Sequence, residues 1–121
     1  FGYVIYAIIW RKVSQKNNSL EIFIAKNLKD IDKYSRPTRG SGCGNELGDV
    51  ANEYFYIECK QNLTKENLIL KRNVWQKHIS NLPINNFKIP FVALENMYNE
   101  RFIILEAKDF FGIIKKAYKN E

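Results

Sequence analysis

Asp49, Glu58 and Lys60 stand close together in this 121-residue chain, at the end of a glycine-rich stretch (Gly40, Gly42, Gly44, Gly48) and in the apolar run after it. Side chains alternate along a strand, so Glu58 and Lys60 share one face while Ile57 and Cys59 take the other. A two-residue turn at Asn52-Glu53 pairs Ala51 with Tyr54, Asp49 with Tyr56 and Leu47 with Glu58. That register sets Asp49 on the Glu58 face and diagonal to it; a three-residue turn reverses the parity. Two carboxylates and an ammonium on one face suit a hard cation, because Mg²⁺ takes oxygen ligands and commonly only one or two carboxylates, with water and phosphate oxygens for the rest. The backbone carbonyl of Cys59, between the two active side chains, is a further candidate ligand. Lys60 would lower the pKa of an attacking water and offset charge developing on a phosphate. An E-x-K tripeptide alone is far more often an ordinary solvated strand face; Asp49 and the glycine loop, upstream in the right order, turn the reading towards a site.

The elements that must hold these residues follow from periodicity. Asn18, with Glu21 three residues on, reads as an N-cap with its capping-box partner, and Leu20, Phe23, Ile24, Leu28 and Ile31 recur at helical spacing. Glu21 falls at the edge of that apolar stripe, where a glutamate facing only solvent is unusual. Capping and an inward-facing role are both open to it, and Glu46 competes for the place of a third carboxylate. Pro37 and the glycines make an irregular loop, in which backbone amides around Arg36, Arg39 and Ser41 can approach an anion. Phosphate contact and a plain surface loop are its two readings.

Beyond the loop, Leu47–Ala51 and Tyr54–Lys60 read as strands. A second helix begins at Thr64 or Lys65 and carries Leu68, Val74, Trp75, Ile79 and Leu82 on one side until Pro83 stops it. Lys88–Leu94 and Arg101–Leu105 are two more strands, and Ala107–Tyr118 has the spacing of an amphipathic helix. The order predicts an α/β layer fold, a small mixed sheet with helices packed on it. Lys71, Arg72, Lys77 and His78, with Lys115, Lys116 and Lys119 on the last helix, could extend a basic surface. His78 is expected at the surface, and Trp75 and the Phe110/Phe111 pair in the core.

Composition bounds these readings. The length suits one domain spanning 1–121 and excludes a TIM barrel or a two-domain enzyme; a hydrophobic fraction of 45% excludes a disordered chain. Nineteen Lys and Arg against 13 Asp and Glu give a net charge of +6, which favours a polyanionic partner. Cys43 and Cys59 form no CxxC, and His78 is the single histidine, so a zinc site or disulfide framework is not expected. Tyr3–Trp10, within an apolar extension over 1–13, is too short to span a bilayer. Arg11 and Lys12 follow that run where a signal peptide would carry them before it. No membrane association and an intracellular location are expected. Phe1 in place of Met is what a fragment or processed product would show.

With these residues in view, the segment from Arg36 to Gln61 resembles the PD-(D/E)XK nuclease superfamily, and within it the small Holliday junction resolvases of archaea and phages. Those proteins show an early helix with a glutamate, an Arg and Ser-Gly loop, a Gly-Asp or similar pair, then hydrophobic-Glu-x-Lys. The counterparts are Glu21, Arg36 or Arg39 with Ser41-Gly42, Gly48-Asp49, and Ile57-Glu58-Cys59-Lys60. The resemblance runs over about 18–120; Gly48 replaces the proline that often precedes the motif aspartate, and Tyr3–Trp10 has no counterpart. Gly2-Tyr3-Val4-Ile5-Tyr6 superficially matches the first tripeptide of GIY-YIG nucleases, but the second is missing downstream.

The resemblance implies a restriction-endonuclease-like mixed sheet flanked by helices and a Mg²⁺-dependent endonuclease on branched DNA, with Mn²⁺ able to substitute and a 5′-phosphate product. Asp49 and Glu58, with the Cys59 carbonyl and Glu21, would hold the metal; Lys60 would position the attacking water. Arg36, Arg39, Ser41, Lys71 and Arg72 would contact DNA. A junction presents two strands to cut, so a homodimer is implied, with the aromatic ends Tyr3–Trp10 and Phe110–Tyr118 as candidate interfaces. The alternatives are a restriction, repair or homing nuclease on the same core, or a non-catalytic nucleic-acid-binding module.

Overall fold

A computed structural model describes residues 18–39 and 46–119. Ser41, Cys43 and the Tyr3–Trp10 segment lie outside the described residues. Eight elements follow in order: α1 (Ser19–Leu28), β1 (Arg36–Pro37), β2 (Val50–Ala51), β3 (Phe55–Gln61), α2 (Arg72–Ser80), β4 (Ile89–Glu95), β5 (Arg101–Ile104) and α3 (Ala107–Lys119). The strands form one mixed sheet in the order β1-β2-β3-β4-β5, with only the β3–β4 pair parallel. The α/β layer architecture expected from the element order is present, with five strands and three helices among the described residues.

β3 and β4 run side by side from Phe55↔Ile89 to Gln61↔Glu95 and form the centre of the sheet. The run Phe91-Val92-Ala93-Leu94-Glu95 is buried throughout, as a strand covered on both faces must be. Pro90 sits in this central strand without loss. Ile89 donates its N–H to Tyr54, so the next nitrogen points to the other edge, where β5 pairs only from Val92 onward. On one face, Leu20, Ile24 and Ala25 of α1 pack on Val50, Ile57, Phe91 and Ala93. Burying such side chains contributes about 1.5–3 kcal/mol each, and this cluster fixes α1 across the strands that carry the site.

Several elements differ from the sequence expectation. β2 has two residues, where Leu47–Ala51 was expected, and Arg36–Pro37 forms an additional edge strand within the stretch expected to be irregular. The Asn18 side chain makes no capping hydrogen bond, which frees Glu21 from the capping box. The second helix starts at Arg72, well after Thr64, because the backbone before it is engaged elsewhere. The Lys65 carbonyl accepts from Met97 N–H, and the Glu66 carbonyl from Asn96 Nδ2. Those bonds to the β4–β5 turn replace the helical ladder. His78, expected at the surface, is 3% exposed. Its ring stacks on Tyr56 at 4.1 Å, and Nε2 lies 3.1 Å from the Tyr56 carbonyl. Phe110 and Phe111, expected in the core, are half-exposed, and no residue of α3 is buried. Among the described residues no helix is long and apolar enough to cross a membrane.

Candidate active site

The shortness of β2 creates the site. β2 pairs with β3 only at Val50↔Ile57, so Glu58–Gln61 have β4 on one side and an open edge on the other. A residue's N–H and C=O point to the same edge of its strand. Ile57 accepts from Asp49 N–H across this edge, and Cys59 donates its N–H to Asp49 Oδ2 at 2.7 Å. The Cys59 carbonyl therefore faces the same open edge, as required of a candidate ligand.

Asp49 reaches this edge through a locally forced backbone. Gly48 has φ +73°, and a Cβ there would stand 2.4 Å from the Ile57 carbonyl oxygen, so only glycine fits. Thr38 holds the same stretch from outside, donating Oγ1 to the Gly48 carbonyl and its N–H to the Asp49 carbonyl. The turn is longer than two residues. Asn52 Oδ1 accepts from both Tyr54 and Phe55 N–H, and Asn52 Nδ2 donates to Ser35 Oγ. The register moves by two residues from the one expected, Val50 pairing with Ile57, and the Asp49 carboxylate reaches along the edge of β3 to the Cys59 N–H.

Glu21, Asp49, Glu58, Cys59 and Lys60 line one open cavity of about 420 Å³, joined by Asn18 and Gln61. Glu58 and Lys60 enter from one face of β3, Glu21 arrives from α1, and Asp49 comes from the strand lead-in. Lys60 Nζ lies 3.1 Å from Glu58 Oε2. Burial pushes the Asp49 carboxyl above its usual range, and the Glu58 charge adds to this, against the Cys59 N–H and Lys60. Burial likewise raises Glu21, aided by the charges of Asp49, Glu95 and Glu58 and opposed by a backbone hydrogen bond. Glu21 Oε1 is buried and has no hydrogen-bond partner among the described residues. Burial lifts the Cys59 thiol far above its ordinary value, the surrounding carboxylates adding to it, so the sulfur is inert at neutral pH.

These donors fit a divalent hard cation. They are carboxylate and carbonyl oxygens, their mutual repulsion is only partly offset by Lys60 and the Cys59 N–H, and one buried carboxylate oxygen lacks any donor among the described residues. Among the described residues no three His, Cys, Asp or Glu side chains are gathered closely enough to form a metal cage on their own. Mg²⁺ sites commonly use one or two carboxylates with water and substrate oxygens.

The other sequence candidates separate into two groups. Glu46 is not a third carboxylate: it pairs with the Arg36 guanidinium and accepts from Arg39 N–H at 2.8 Å, which together hold its carboxyl below the usual range. Arg36 is thus committed to an ion pair, and neither it nor Arg39 lines the cavity. Lys71 lines an adjoining hollow of about 320 Å³ together with Lys60 and Gln61, while Arg72 is exposed at the start of α2. His78 was missed at the site's rear: Nδ1 lies 4.0 Å from Glu58 Oε1. Burial lowers its pKa despite the carbonyls of Tyr56 and Phe91 and the charge of Glu58, so the ring is neutral. An apolar pattern around a lone histidine was the available signal for its burial. Comparison with known proteins adds no relative to this geometry: no family model, no curated protein and no solved structure matches the chain.

Proposed function

We propose that this chain is a Mg²⁺-dependent DNA endonuclease of the PD-(D/E)XK kind on a restriction-endonuclease-like core, acting on branched DNA as a homodimeric Holliday junction resolvase. The observation that carries the reading is the convergence of Glu21, Asp49, Glu58 and Lys60 on one cavity at the open edge of β3. In that reading Asp49, Glu58, Glu21 and the Cys59 carbonyl hold the cation, which supplies a polarised water and charge to offset the phosphate. Asp49 is oriented by the Cys59 N–H on Oδ2. Lys60, half-exposed beside Glu58, presents its ammonium to an incoming water or phosphate oxygen. The hollow lined by Lys60 and Lys71 continues from the cavity and offers positive charge to a neighbouring phosphate. The uncovered face of α3, with Phe110 and Phe111 exposed, supports pairing of two copies.

The test is cleavage of a four-way junction beside a matched linear duplex, with and without Mg²⁺, for wild type and Asp49→Ala. Mg²⁺-dependent cutting of the junction by wild type alone is expected. Cutting by Asp49→Ala at the wild-type rate would show the active site to be elsewhere, and equal cutting of duplex would remove the resolvase reading.

A further inference from the structure

The geometry points to Gln61 as a further oxygen donor to the cation in this cavity, an inference that rests on the metal reading above. Gln61 ends β3 in register with Glu95 of β4 and lines the same cavity as Glu21, Asp49 and Glu58. Its Nε2 donates to Glu95 Oε1 at 2.7 Å and to Ser19 Oγ at 3.3 Å. Glu95 is fully buried, and its other oxygen accepts from Arg101 Nε at 2.8 Å and Asn99 Nδ2 at 3.0 Å.

A carboxylate held by three donors is ionised and can only accept, so the Gln61 atom against it must be the nitrogen. The amide cannot be the other way round. Both of its hydrogens are directed at Glu95 and Ser19, and the carbonyl oxygen takes the opposite branch. That oxygen has no protein donor among the described residues. An amide oxygen is a hard, neutral ligand of the kind that divalent cations accept beside carboxylates. It adds coordination without adding charge to a site that already holds three carboxylates. Glu95, Arg101 and Asn99 then serve as the outer support that fixes this donor's direction.

The experiment uses Mn²⁺ as the probe on the full chain, measuring affinity by calorimetry and bound waters by proton relaxation, for wild type and Gln61→Leu. The expected result is affinity about tenfold weaker in Gln61→Leu, the scale on which shell contacts alter metal binding, together with one additional water on the ion. Wild-type affinity and hydration in Gln61→Leu would overturn the assignment while leaving the metal site intact. Failure of wild type to bind Mn²⁺ would overturn the metal reading itself and this inference with it. Should Gln61→Leu not fold, the wild-type Gln61 side-chain ¹³Cδ resonance decides. Displacement on adding Mg²⁺ supports coordination, and an unmoved resonance at saturation overturns it.

Discussion

Glu95 and Asp49 lie on either side of β3, and burial acts on both to favour the neutral carboxyl, yet they finish on opposite sides of their ordinary values. Around Glu95, hydrogen bonds from Asn99, Gln61 and Arg101 outweigh the cost of burial and hold its carboxyl low. Arg101 is itself fixed, its guanidinium stacked on the Phe23 ring at 4.5 Å. Around Asp49 and Glu21 burial prevails: the Cys59 N–H and Lys60 beside Asp49, and a backbone hydrogen bond at Glu21, do not offset it and the neighbouring carboxylates, and both are pushed up. One carboxylate is satisfied by the fold, whereas the charge of the others is opposed by burial and by nearby carboxylates. Such incompletely compensated charge is what a binding or catalytic site stores and a structural network removes.

The largest expected break in this contrast is catalytic. Asp49→Asn and Glu58→Gln should lose DNA cleavage while retaining junction binding, since removing a carboxylate from the cavity also reduces repulsion of phosphate; gel-shift and cleavage assays on one substrate separate the two effects. Lys60→Ala should slow turnover by about 10²–10³, the scale for a single positioned donor, with little change in affinity. Loss of affinity at unchanged turnover would instead make Lys60 an ordinary phosphate contact.

On the structural side, Arg101→Leu leaves Glu95 buried without its cation and should cost of the order of 3 kcal/mol in chemical denaturation. A much smaller cost would mean that Asn99 and Gln61 suffice to satisfy that carboxylate. The smallest effect expected is in pH dependence. A carboxyl with a raised folded pKa binds more protons in the native state, so its contribution to stability falls as pH rises from the unfolded value through the folded one. Metal-free Asp49→Asn should therefore melt above wild type at neutral pH, with the gap closing as pH falls towards the unfolded Asp value of about 3.9. Glu95 has the opposite sign: its stabilisation is present above its unfolded value and fades as pH falls through the lower folded one. A metal-free wild type melting level with Asp49→Asn at every pH would remove the claim that the cavity is electrostatically frustrated.

Local pattern was enough to locate much of this molecule. The E-x-K tripeptide, its strand and the shared face of Glu58 and Lys60 follow from two-residue alternation, which needs no partner to be true. The apolar run of β4 and the helical spacing of α1 and α3 are local in the same way. Gly48 is legible as a glycine before an aspartate, but the reason only glycine fits is the Ile57 carbonyl across the strand pair. Thr64–Leu70 has nothing in its own residues to exclude helix; the β4–β5 turn captures its carbonyls from a distant part of the chain.

What the sequence by itself determined is the chemical inventory: which carboxylates and which lysine exist, and which of them share a strand face. Only the tertiary structure decided which belong to one site. The two-residue β2 leaves an edge of β3 open, and α1, fixed by the burial of Leu20 and Ile24, brings Glu21 to that edge while Glu46 is retained by Arg36. The same packing buries His78 behind Glu58 and turns the Gln61 amide through contacts with Glu95 and Ser19. Side-chain alternation is a property of neighbouring residues, whereas convergence at an edge depends on where the sheet stops and what is packed across it, and those are decided by contacts between residues far apart in the chain.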